Sequence, residues 1–175
     1  MKTGLIHLYT GDGKGKTTAA VGLAARAAGC GKRVVFGQLL KGRRTGEVAS
    51  LEALGVKVIR SDKVLSFTWE MNDEQKENCK AEQARLFDEI CDMVFGDAEL
   101  DLLVVDEALD VMAMELLENE KVRDVIERKP AGLEIILTGR DAPDWLCEKA
   151  DYVTEMRKIK HPYDCGIKAR EAIEY

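Results

Sequence analysis

The apolar residues of this chain fall into short blocks rather than an alternating pattern. Leu5-Ile6-His7-Leu8-Tyr9 and residues 33–39, 56–60, 102–105, 133–137 and 152–156 hold bulky or β-branched side chains with little polar alternation. Strands covered by helices on both faces read this way, whereas half-exposed strands alternate. Between the blocks the spacing predicts helices. A small-residue run at 19–25 is stopped by Gly29-Cys30-Gly31, and a short helix at 47–54 ends at Gly55. Asn72 or Asp73 starts a long helix running to residue 95, with Ala84, Phe87, Cys91 and Val94 at helical intervals and acids on the other side. Further helices are expected at 109–117, 120–128 and 143–150, followed by a basic-then-mixed tail at 158–175. Strands alternating with helices imply a mostly parallel sheet with right-handed crossovers. The expected architecture is α/β with three layers, in a single domain over residues 1–175.

In such a sheet ligands bind beyond the carboxyl ends of the strands, and the unusual residues of this chain collect there. Thr10-Gly11-Asp12-Gly13-Lys14-Gly15-Lys16-Thr17-Thr18 follows the first strand and opens the first helix. Glycines let the backbone wrap so that several N–H groups point inward, and the helix dipole adds about half a positive charge at its start. That is a recipe for holding phosphate, and it points to a P-loop NTPase-like fold. Lys16 would reach the phosphates, and the Thr17 hydroxyl would face Mg²⁺. The loop is irregular, because G-x-x-x-x-G-K-[ST] wants glycine where Thr10 stands. Gly11, Gly13, Gly15, Lys16 and Thr17 would still occur together by chance on the order of 10⁻⁴ of the time in such a chain. The dinucleotide pattern G-x-G-x-x-G fails, since Lys16 occupies its third glycine.

Leu102-Leu103-Val104-Val105-Asp106-Glu107 is a buried strand ending in two acids. A carboxylate there is the usual partner of a phosphate loop, because it holds the Mg²⁺ shell. Asp106 is the first candidate for that role. Glu107 is a second metal contact, a contact to the nucleotide sugar, or an acid favoured by a helix N-terminus. Arg140, after Thr138-Gly139, either binds phosphate or makes a surface ion pair. Phe67 and Trp69 read from composition as filling under a long loop. His7 reads as structural. His161, beside Pro162, reads as a turn cap or site-lining residue, without a partner at metal-ligand spacing.

Composition narrows the class further. With 46% hydrophobic and 33% charged residues the chain is globular, and its net charge of −6 argues against nucleic acid as a partner. An anionic ligand must then be held by a local cluster, which Lys14, Lys16, Lys41, Arg43 and Arg44 supply. Cys30, Cys79, Cys91, Cys147 and Cys165 are odd in number and scattered without C-x-x-C, which fits free thiols in a reducing cytoplasm. No charged-then-apolar leader precedes the first strand, and no apolar run approaches the ~20 residues that span a bilayer. A cytoplasmic protein with no membrane partner is expected.

Taken together, these residues resemble the P-loop type of ATP:cob(I)alamin, or corrinoid, adenosyltransferases. The resemblance is carried by Tyr9 through Ala20, Phe67-Thr68-Trp69-Glu70, Val104-Val105-Asp106-Glu107 and Thr138-Gly139-Arg140. It continues through Ala150-Asp151-Tyr152-Val153-Thr154-Glu155-Met156 and Lys160-His161-Pro162-Tyr163-Asp164 with Gly166, so it runs in order over almost the whole chain. The Thr10 that breaks the standard loop pattern is part of the family's form. The resemblance implies transfer of the 5′-deoxyadenosyl group of ATP to the Co(I) centre of a corrinoid. Triphosphate leaves, and adenosylcobalamin or an adenosylated precursor forms. It implies nucleotide contacts from Thr10, Gly11, Asp12, Gly13, Lys14, Gly15, Lys16, Thr17, Thr18 and Arg140, and Mg²⁺ on Thr17, Asp106 and Glu107. Lys16 and Glu107 would serve catalysis. Phe67 and Trp69 would displace the lower axial ligand of the corrinoid, which eases reduction of Co(II). The nucleotide would lie reversed relative to ordinary P-loop ATPases, so that the loop cradles the leaving group. A homodimer and a separate reductase as electron donor are implied as well. The competing readings are a small P-loop kinase or ATPase and a non-catalytic, ATP-gated corrinoid carrier.

Overall fold

Each apolar block becomes a strand in the computed structural model, which describes residues 3–42, 45–63, 71–96 and 99–174. The strands are β1 (Ile6–Thr10), β2 (Val34–Gln38), β3 (Lys57–Arg60), β4 (Leu102–Asp106), β5 (Glu134–Thr138) and β6 (Tyr152–Glu155). All pair in parallel, in the order β3-β2-β4-β5-β1-β6. Between them run α1 (Lys16–Gly29), α2 (Gly46–Ala53), α3 (Asp73–Gly96), α4 (Ala108–Ala113), α5 (Asn119–Arg128) and α6 (Asp144–Lys149).

Alternate residues of each strand take opposite faces, and both faces of the central strands are covered. The edge strand β6 is instead exposed at all four positions, contrary to what its apolar run predicts. Phe36, Leu102, Val104 and Ile136 pack with Ala20 and Ala24 of α1 and Leu51 of α2. Leu8, Val35, Leu103, Val105 and Ile135 pack on the other side with Phe87 and Ile90 of α3, Leu109 of α4, Val125 of α5 and Leu146 of α6. This is the three-layer arrangement expected from the missing alternation. The wholly buried alanines of α1 keep that helix close to the sheet, where it crosses β5 and reaches β4. Its first turn is thereby brought beside the end of β4.

Local signals place most boundaries. Asn72 caps α3 in a reciprocal box: Gln75 N donates to Asn72 Oδ1 and Asn72 N donates to Gln75 Oε1, both at 2.9 Å. Gly31, at φ 73°, ends the turn after α1. The helix expected at 109–117 is shorter, because Glu115 takes a φ of 57° and the chain folds back. Leu116 N and Leu117 N both then donate to Val111 O, which buries these two leucines. His7 is structural, its Nε2 2.6 Å from Glu134 Oε1 and its ring stacked 4.5 Å from that of Tyr152. His161 caps a 3-10 turn over Pro162–Cys165, its Nδ1 accepting from Tyr163 N.

One buried acid ties β3 to α3. Glu82 accepts from Ser61 Oγ (2.9 Å), Lys63 Nζ (2.6 Å) and Arg85 Nη2 (2.9 Å). The Arg85 hydrogen bond, then that of Lys63, pulls its carboxyl from 4.5 down to about 2. A depressed carboxylate stabilises the fold above its ordinary value and loses that contribution as pH falls through the folded one. Lys63 and Arg85 are exposed, so solvent screening trims the effect. Glu82→Gln is expected to cost about 1–3 kcal/mol at neutral pH. In denaturant melts it should also flatten the decline in stability between pH 4.5 and about 2.

Candidate active site

β1 ends at Thr10, and the chain turns through the glycine-rich loop before α1 begins at Lys16. Gly11 and Gly15 sit at φ 100° and 120°, which side chains rarely adopt. The segment after β6 braces this loop. Gly13 N donates to Met156 O (2.6 Å), Met156 N to Thr10 O (2.8 Å) and Lys158 N to Asp12 Oδ1 (3.0 Å). A Cβ on Gly11 or Gly13 would stand 2.5 or 2.6 Å from the Met156 carbonyl oxygen. Both glycines are therefore required by the brace.

Lys16 bends back over the loop, its Nζ donating to Gly11 O at 2.6 Å and Gly13 O at 3.0 Å. Burial lowers its pKa below the usual lysine value, and the nearby Arg140 guanidinium lowers it further. Two cations held against each other form a site that an anion relieves. Lys14 is more exposed and lies 3.9 Å from Glu174 in the tail.

Asp106, at the end of β4, is fully buried and fully engaged. Its Oδ1 accepts from Thr17 Oγ1 (2.9 Å) and Thr138 Oγ1 (2.7 Å), and its Oδ2 accepts from Lys41 Nζ (2.7 Å). Because β5 lies between β1 and β4, Thr138 fills the gap and also accepts from Glu107 N at 3.0 Å. Glu107 sits at φ 63°, where β4 turns into α4. Burial pushes its carboxyl well above the ordinary range, the Asp106 charge adds to this, and a hydrogen bond with Asp110 contributes, while Lys41 opposes the rise. The buried Asp110 in turn accepts from Arg140 N at 3.0 Å through Oδ2.

Thr17 and Asp106 offer hard oxygen donors, a set suited to Mg²⁺ rather than to a soft metal. Among the described residues no group of three or more His, Cys, Asp or Glu side chains would hold a metal unaided. A cation here would draw its other ligands from water and phosphate, as Mg²⁺ commonly does.

The fold thus gathers Thr10 through Thr18, Asp106, Glu107 and Arg140 at the carboxyl ends of neighbouring strands. Phe67, Trp69, Arg43 and Arg44 lie outside the described residues. Sequence reasoning assigned no role to Thr138 or Asp110, and did not pair Lys41 with Asp106. Asp110 had a legible signal, a charge inside the apolar run Leu109-Asp110-Val111-Met112. The other two depend on strand order and loop path, which no local pattern encodes.

Comparison with known proteins adds a family to this geometry. Residues 2–175 match the family described as ATP:corrinoid adenosyltransferase BtuR/CobO/CobP. The corrinoid adenosyltransferase of Pseudomonas aeruginosa is 35% identical over 173 residues, covering 98% of this chain and 84% of that protein. The corrinoid adenosyltransferase CobA of Salmonella typhimurium is 36% identical over 173 residues, covering 98% and 86%. Among solved structures, EssC (ATPases 2 and 3) from Geobacillus thermodenitrificans superposes with a TM-score of 0.50 at 14% identity. That match covers 97% of this chain and 35% of the EssC chain, and it bears on the fold alone. From the full-length family match, the chain belongs to the ATP:corrinoid adenosyltransferase family.

Proposed function

We propose that this protein transfers the 5′-deoxyadenosyl group of ATP to the Co(I) centre of a corrinoid, with triphosphate as the leaving group. The observation that carries the reading is the glycine-rich loop joined through Thr17 to the buried Asp106, in a chain of this family. Reduced cobalt is a powerful nucleophile. The protein therefore has mainly to place the C5′ carbon in line and stabilise the departing charge. The loop amides, Lys16 and Arg140 take that charge, and the loop cradles the leaving group rather than poising a terminal phosphate for transfer. Thr17 and Asp106 would hold Mg²⁺, with Glu107 beside them, and the metal would supply further neutralisation of the phosphates. Asp110 fixes the turn that presents Arg140.

Incubation with ATP, Mg²⁺ and chemically reduced cobalamin tests the reading. Free triphosphate and a light-sensitive cobalt–carbon product are expected; accumulation of ADP would overturn it. Phe67 and Trp69 supply apolar bulk that expels the lower axial ligand of the corrinoid, lowering the orbital that accepts the electron. Trp69→Ala is accordingly expected to keep ATP binding and turnover from chemically made Co(I), yet to lose more than about tenfold in turnover from Co(II). Equal rates from Co(II) in variant and wild type would remove that role. We place the protein in the cytoplasm as a homodimer served by a separate reductase. Its cysteines are free thiols, and among the described residues no helix is long and apolar enough to cross a membrane.

A further inference from the structure

Lys41 is not part of the phosphate loop, yet its Nζ lies 2.7 Å from Asp106 Oδ2 and 3.7 Å from Glu47 Oε1. Bonds from another layer of the fold direct the chain into that contact. Leu40 holds a φ of 58°, which a leucine seldom adopts, and its N–H donates to Oε1 of the wholly buried Gln83 on α3 at 3.0 Å. Leu39 N donates to the Asp106 carbonyl at 3.2 Å. A non-glycine residue kept at positive φ by a buried side chain is over-determined by its surroundings, and such residues cluster at active sites and ligand clamps. The side chain aimed by Leu40 is that of Lys41.

Its target is a carboxylate with no exposure to solvent, and such a group needs a counter-charge. Thr17 and Thr138 already serve Oδ1, so the ammonium holds the other oxygen, with Glu47 flanking it. A divalent cation beside Thr17 and Asp106 would bring two positive charges to the same place. It and the ammonium would then compete for one carboxylate. Triphosphate would bring several negative charges beside them, and an ammonium on a four-carbon stem with three rotatable donors can turn to meet them. We infer that Lys41 is a placeholder cation, which balances Asp106 before ligands bind, yields it to the metal, and then binds the triphosphate. The inference rests on the reading of the loop as a triphosphate site.

Lys41→Met, which keeps the apolar stem and removes the charge, separates this role from a purely structural one. The concentration of Mg²⁺ that gives half its stabilising effect on thermal unfolding, without nucleotide, is expected to fall about tenfold as the competing ammonium disappears. Calorimetric affinity for inorganic triphosphate at saturating Mg²⁺, where the metal has freed the ammonium from Asp106, is expected to fall about tenfold at the same time. A structural lysine would move neither in that paired and opposite sense. Should Lys41→Met fail to fold, wild-type protein carrying ¹⁵N-lysine reports instead. The Lys41 side-chain resonance, assigned by its loss in Lys41→Arg, is expected to shift when Mg²⁺ and triphosphate are added. A resonance that stays put, or an unchanged metal requirement in Lys41→Met, overturns the inference alone. Wild-type protein that binds no triphosphate overturns the phosphate-site reading and this inference together.

Discussion

Lys16→Ala is expected to fold as the wild type does and to lose roughly 10²–10³-fold in turnover. The fold is indifferent to this side chain because, among the described residues, Lys16 Nζ bonds to the carbonyls of Gly11 and Gly13, on a half-buried loop. What holds the loop in shape is the brace from Met156 and Lys158, which the substitution leaves alone. The catalytic loss comes from the leaving group. In the proposed reaction triphosphate gains charge as the C5′–oxygen bond breaks, and a fixed ammonium over the loop would stabilise that state more than bound ATP. Lys16→Arg is expected to rescue little, since a planar guanidinium cannot lie across the same two carbonyls as a compact ammonium does. Steady-state release of triphosphate from reduced cobalamin and ATP measures the effect, with a thermal melt as the control for folding. Turnover within a few-fold of wild type in Lys16→Ala would remove the loop from the chemistry.

Asp106 gives the second large effect, and two replacements divide it. Asp106→Ala leaves the Lys41 ammonium and the Thr17 and Thr138 hydroxyls facing a void, at a cost of about 3–5 kcal/mol. Asp106→Asn keeps the shape, and its Oδ1 still accepts from both threonines. Its amide, however, turns a donor toward the Lys41 ammonium and carries no charge for a metal. The asparagine variant is expected to be folded, to need at least about tenfold more Mg²⁺ for half-maximal turnover, and to run roughly 10²-fold slower. Titrating Mg²⁺ in the coupled assay, beside urea melts of both variants, checks the pair. An asparagine variant with the wild-type metal requirement would show that Asp106 serves only to hold the threonines and Lys41.

Much of the fold was legible in the sequence because covering a sheet on both faces leaves a direct trace: apolar runs that do not alternate. The long helix announced itself through Asn72 and the spacing of Phe87, Cys91 and Val94. The places of the glycine-rich loop and Asp106 at the ends of β1 and β4 were readable because each closes an apolar run. Strand order was not readable, since it depends on which crossover packs on which face, and Thr138 takes its place only once β5 lies between β1 and β4. The break after α4 escaped notice because leucines at 116 and 117 continue an apolar pattern while the backbone reverses at Glu115. The ion pair of Lys41 with Asp106 joins residues 65 apart in the chain and leaves no mark on either neighbourhood.

The brace between Met156 and the loop of Gly11 and Gly13 also sets an order of events during synthesis. The loop leaves the ribosome before the partner that gives it shape, because Asp12 and Lys158 lie 146 residues apart in the chain. Until Tyr152–Glu155 docks beside Ile6–Thr10, a growing chain carries the glycine and lysine pattern without its finished form. The finished shape of the loop thus arrives only once Met156 and Lys158 are available to dock against it.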